Sequence, residues 1–168
     1  IARLNHAGWH VVVATNQPGL GRGLFDVAAL NAIHGLMHKQ LAALGGRIEA
    51  IFYCPHAPDE ACTCRKPAPG LLEQICDRYG VDTDKVCVVG SCPEHLQAGA
   101  ALGAALHLVA TGEAAALDCA APLAPQWPPG TRLHANLGAL VEHLPTRPTP
   151  ASTAMPMPAL VSAAQPSP

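Results

Sequence analysis

Aromatic residues are scarce in this chain: two each of Phe, Tyr and Trp supply 4% of 168 positions. A core built on rings is excluded, so Val, Leu, Ile and Ala must fill it. Charge is sparse as well, at 13% Asp, Glu, Lys and Arg, with a net charge of −2. That balance gives no electrostatic reason to expect nucleic acid or an anionic membrane surface as a partner. No apolar run approaches the ~20 residues of a membrane span. The length allows one domain with a real core and is too small for two, and a monomer is expected. The chain opens on Ile1, and IARLNHAGWH reads as the end of a helix and a turn. It is therefore expected to start inside an element, which leaves any leader segment unreadable. No internal repeat is visible.

Strand-like and helix-like segments alternate. HVVVA, from His10 to Ala14, is a short apolar run bounded by Gly8 and by the polar TNQPGLGRG, as in a buried parallel strand that ends in a functional loop. Asp26 is suited to cap a helix. Leu30, Ile33, Leu36, Met37, Leu41 and Leu44 follow with helical spacing, and Gly45-Gly46 stops them. Further strands are expected over Ile48–Tyr53, Val86–Val89 and His107–Ala110. Pro69 opens a helix that Gly80 ends, and another spans Leu96–Leu102. This order predicts an α/β fold with a parallel sheet flanked by helices, and ligands bind such sheets beyond the carboxyl ends of the strands. Residues 113–130 are expected to be loop-like, and Arg132–Leu144 to hold a short strand and a last helix. The domain should end near residue 144. The Pro/Ala/Ser-rich stretch 145–168 cannot bury enough surface to offset its ordering entropy and is expected to be disordered.

Seven cysteines are present, an odd number, and three of them cluster with a histidine. Cys54 and His56 are two apart, as are Cys62 and Cys64, with a short proline-containing loop between. Two such hooks supply the four ligands of tetrahedral zinc. A Cys3His set leaves no open position, so the site would be structural. The bland alternative is reduced surface thiols, or a disulfide, beside an incidental histidine. Cys76 and Cys87 read as small core residues, and the remaining histidines as surface or packing residues.

Thr15, Asn16 and Gln17 close the first strand, where a hydroxyl and an amide can hydrogen-bond a phosphate oxygen. Lys66 could neutralise a phosphoryl group and Arg65 could bind an anion bidentately. Taken singly, the first reads as a turn and the second as solvated surface. Taken in order, VVVATNQPGLGRG, YCPHAPDEACTCRKPAPG, VCVVG and LQAGAALG resemble the histidinol-phosphatase-like branch of the haloacid dehalogenase (HAD) superfamily, over roughly residues 1–145. Within it the chain looks closest to the heptose 1,7-bisphosphate 7-phosphatases, which act on a precursor of the lipopolysaccharide core. The histidinol-phosphate phosphatases share the same motifs.

The resemblance implies a Rossmann-like fold, a cytoplasmic Mg²⁺-dependent phosphomonoesterase, a phosphorylated sugar as substrate and a structural zinc. By the same resemblance Thr15 and Lys66 would steady the transferring phosphoryl group, and Asn16, Gln17, Pro18 and Arg65 would line the substrate. The chain departs from the pattern twice. The family's DxD, whose acids serve as nucleophile and general acid/base, would fall ahead of Ile1, together with the central strand of the sheet. The family's Gly-Asp-x-x-x-Asp, which helps hold Mg²⁺, appears as Gly90-Ser91-Cys92-Pro93-Glu94-His95. A serine brings no negative charge, and Glu94 lies one position away behind Pro93. The chain is thus expected to be inactive as it stands, or to serve as a non-catalytic zinc-containing relative that binds.

Overall fold

The computed structural model describes residues 1–145. Apart from Pro145, the tail expected to be disordered lies outside them. Among the described residues five parallel strands alternate with helices. β1 (Val12–Asn16) pairs with β2 (Ala50–Cys54), setting Thr15 opposite Tyr53 and Asn16 opposite Cys54. β3 (Cys87–Gly90), β4 (Ala105–Val109) and β5 (Arg132–His134) form a second sheet in that order. The α/β alternation with parallel strands flanked by helices read from the sequence is present, divided between two sheets. β1 and β3 are not hydrogen-bonded to one another, so each keeps one edge unpaired. β1 begins two residues later than the apolar run suggested and is half-buried along its length, because an unpaired edge leaves its side chains partly open.

The helices follow their local signals. α1 (Ala2–His6) precedes β1, and α2 (Pro18–Gly21) starts on the Pro of the TNQP loop. α3 (Val27–Ala43) is capped by Asp26, whose carboxylate accepts the Ala29 N–H at 2.8 Å. α4 (Gly70–Tyr79) ends at Gly80, and α5 (Pro93–Leu102) lies over β3 and β4. α6 (Leu137–His143) is capped by the Asn136 side chain. The periodic apolar set on α3 does not form one buried face. Leu30 is buried and Met37 and Leu41 are half-buried, whereas Ile33 and Leu36 are 63% and 58% exposed.

The main core sits between the second sheet and its helices. Val88, Leu106 and Leu108 from β3 and β4 meet Leu72 of α4 and Leu96 and Ala98 of α5. Residues 113–130 are largely irregular, as expected, yet this stretch lends Ala114 and Trp127 to the core. One of the few aromatics thus plugs the core from a loop.

Candidate functional site

The four zinc-type ligands come together where β2 ends. Cys54 is the last residue of the strand and is buried. Its Sγ lies 3.4 Å from His56 Nδ1 and 3.7 Å from Cys62 Sγ, and Cys64 Sγ lies 3.2 Å from His56 Nδ1. All four ligand atoms are within 4.8 Å of one another. Tetrahedral bonds of ~2.3 Å to sulfur and ~2.0 Å to nitrogen produce ligand–ligand edges of roughly 3.5–3.8 Å, so the donor set fits zinc. Burial and the neighbouring Cys54 and Cys62 sulfurs push the Cys64 thiol up to about 12. Crowded sulfurs of this kind hold their negative charge poorly unless a cation sits among them.

Arg65 secures the same loop. Its guanidinium donates to the Ala57 and Glu60 carbonyls, and the Glu60 carboxylate accepts the Ala57 N–H. The TNQ loop is stitched to the clasp by Gln17 N–H to Cys54 O and Gly21 N–H to Pro55 O, both 2.8 Å. An open groove of about 950 Å³ lies beside the clasp, with Leu20, Phe25, Tyr53, Pro55, His56 and Glu60 in its walls.

Lys66 turns from this loop towards the end of β1. Asn16 fixes its backbone from both sides: Asn16 Oδ1 accepts the Lys66 N–H at 3.1 Å, and Asn16 Nδ2 donates to the Lys66 carbonyl at 3.2 Å. Gln17 Nε2 donates to the Thr15 hydroxyl at 3.2 Å. Thr15, Asn16, Gln17 and Lys66 therefore form one constellation. Of the side chains read from the sequence as lining substrate, Asn16 and Arg65 instead spend their hydrogen bonds on protein backbone, and Pro18 opens α2.

The Lys66 ammonium donates to the Ala14 carbonyl at 2.9 Å and meets His95 Nδ1 at 3.0 Å. An ammonium only donates, so Nδ1 is the acceptor and His95 is neutral, with its proton on Nε2. Burial and the Lys66 charge bring His95 down to about 4. Burial also lowers Lys66, opposed by Cys92 and Glu94. Gly90 makes the arrangement possible: a Cβ there would stand 2.6 Å from the His95 ring. The contact between His95 and Lys66 had no signal in the sequence beyond the position of His95 in the altered loop.

Residues 63–136 match the HAD-hydrolase-like family. The chain is 51% identical over 144 residues to the D-glycero-beta-D-manno-heptose-1,7-bisphosphate 7-phosphatase of Bordetella bronchiseptica, covering 86% of this chain and 78% of that one. The chain belongs to the heptose bisphosphate 7-phosphatase family. With the Pseudomonas aeruginosa member it shares 48% identity over 113 residues, 67% of this chain and 64% of that protein's length. The crystal structure of the Bordetella phosphatase, complexed with magnesium and phosphate, superposes with a TM-score of 0.77 at 50% identity, over 85% of this chain and 78% of that one. The Burkholderia thailandensis phosphatase gives 0.65 at 45% identity, over 85% and 79%.

The Mg²⁺ that the 7-phosphatase family implies does not fit the donors found here. Mg²⁺ prefers carboxylates and water. Ser91 and Cys92 offer a hydroxyl and a thiol, His95 is committed to Lys66, and Glu94 is exposed. Among the described residues, Cys54, His56, Cys62 and Cys64 are the one group of three or more His, Cys, Asp or Glu placed to share a metal.

Proposed function

We propose that the chain takes the phosphate end of a phosphorylated heptose, the 7-phosphate of D-glycero-D-manno-heptose 1,7-bisphosphate, with zinc stapling the loop that shapes access. The observation that carries this reading is the Thr15–Asn16–Gln17–Lys66 constellation in a chain 51% identical to a heptose bisphosphatase. Phosphoryl transfer depends on positioning and on charge stabilisation. Lys66 supplies the charge. The Thr15 hydroxyl donates to a phosphoryl oxygen, Gln17 orients that hydroxyl, and Asn16 and Arg65 act through the placement of Lys66. Gln17 and Pro18 border the substrate on the side of the groove. Zinc contributes rigidity where the loop has little apolar core. Seven cysteines without a disulfide suit a reducing, cytoplasmic setting, and no described helix is long and apolar enough to cross a membrane.

Hydrolysis needs a nucleophile and a general acid as well. The first aspartate, Asp26, is spent as the cap of α3, and Ser91 and His95 stand where the family's pattern has acids. On these residues we expect the 168-residue chain to bind without turning over. The zinc-loaded chain should be assayed for phosphate release from the heptose bisphosphate with Mg²⁺ in excess, and its binding compared with that of histidinol phosphate. No release above background and preferential binding of the heptose compound are expected. Robust turnover would overturn the inactivity, and equal or tighter binding of histidinol phosphate would overturn the substrate class.

A further inference from the structure

We infer that the strand-end site binds a phosphate oxyanion without a divalent metal, with Lys66 as its charge partner. The inference builds on the reading of Lys66 as a phosphate-handling residue, but it concerns what that residue does once the acids around it are gone. Two features of the site support it.

The first is charge. Lys66 is half-buried, and its two protein partners, the Ala14 carbonyl and His95 Nδ1, are both neutral acceptors. Among the described residues no carboxylate is in ion-pair contact with it, and the exposed Glu94 acts on it only from beyond contact. An ammonium has three N–H donors, so one remains to reach outward. A half-buried cation with no anion in contact is under-compensated, and an anion that brings charge and acceptor atoms together relieves it. The Thr15 hydroxyl, in the same constellation, accepts from Gln17 and spends its proton on the Asn16 carbonyl at a long 3.4 Å, a weak bond that an anion's oxygen can replace.

The second is the altered loop. Where the family's pattern has two acids, Ser91 and His95 carry none, which makes the site two charges more positive than an intact one. A dication placed there would meet a hydroxyl, a thiol and an ammonium, with the exposed Glu94 as the one carboxylate of the loop. The same substitutions that exclude Mg²⁺ remove the negative charge that would repel phosphate from Lys66. Metal independence is therefore a consequence of the residues that departed from the pattern.

The probe is inorganic phosphate, titrated by calorimetry and by 31P line broadening into the zinc-loaded full chain, with and without excess MgCl2. The expected dissociation constant is the same within about twofold in both conditions, and Lys66→Met weakens it by about tenfold or more. The Ser91→Asp, His95→Asp double variant is expected to bind phosphate only with Mg²⁺ added. His38→Gln, on the exposed side of α3 and outside the site, should bind phosphate as the unmodified chain does and serves as the folded control, with circular dichroism on every variant. Binding by the unmodified chain only in the presence of Mg²⁺, or no binding at all, would overturn the proposal. So would full binding by a folded Lys66→Met. None of these readouts uses heptose or turnover, so this inference and the substrate assignment can fail separately.

Discussion

Each member of the clasp contributes through where its ligand atom sits. Cys62 Sγ is 3.7 Å from Cys54 Sγ, a separation that tetrahedral zinc spans. Serine at that position keeps the size but supplies a harder, far less acidic donor. Cys62→Ser is expected to lower zinc content from one per chain to a small fraction, read by elemental analysis after gel filtration. Because Arg65 and Lys66 follow the clasp directly, the variant should also lose phosphate affinity. Full zinc occupancy in Cys62→Ser would contradict the four-ligand assignment. At this scale the sequence was informative, because two short Cys/His hooks have few other uses. It could not show that Asn16 holds the Lys66 backbone, since those residues lie 50 positions apart and neither type announces the pairing.

At the scale of elements, the packing of β5 and α6 on β4 rests on histidines that sequence spacing left looking isolated. His107 on β4 and His134 on β5 are 3% and 7% exposed, and His107 Nδ1 lies 3.0 Å from His134 Nε2. One nitrogen must donate and the other accept, so the pair cannot carry two protons on those facing nitrogens. Burial first, then His134, Arg132 and His143, bring His107 down to about 4, and burial with His143 and Arg132 lowers His134. The folded state thus binds protons less readily than the unfolded chain, whose histidines titrate near ~6.5. Stability is fully present above about 6.5 and is lost as the pH falls towards 4, at up to about 1.4 kcal/mol per pH unit for each histidine involved. Thermal midpoints across that range should show the loss. His134→Gln, which can still donate to His107, should reduce the slope and leave the acid response of the Cys54, Cys62 and Cys64 clasp unchanged. An unaltered slope would exclude the pair as its source. The helices and strands were legible because caps, glycine stops and apolar runs are local. The histidine pair and the burial of Trp127 were not, because both depend on which strands and loops meet across the fold.

Across the whole molecule, the break between the two sheets governs behaviour in solution. β1 and β3 each present an unpaired edge, and an open edge is a template for association. α3 adds to this with Ile33 and Leu36 on its outer face, and Leu24 and Leu44 just beyond its ends are 66% and 76% exposed. With a net charge of only −2, little repulsion opposes contact between copies. Concentration-dependent self-association is therefore expected, visible by light scattering and suppressed by salt-independent means. Ile33→Lys with Leu36→Glu places charge on the exposed face without touching Leu30, which anchors α3, and should raise the soluble limit several-fold at unchanged helix content. If those substitutions leave association as it was, the strand edges are its source, and a variant with Lys at Val12 or Val13 becomes the discriminating one. A chain that stays monomeric at high concentration and unfolds cooperatively at an ordinary mesophilic temperature would show that the broken sheet is closed well enough by Lys66, His95 and the half-buried strand side chains. That result would make the ammonium crossing from the clasp loop to Ala14 a structural as well as a binding element.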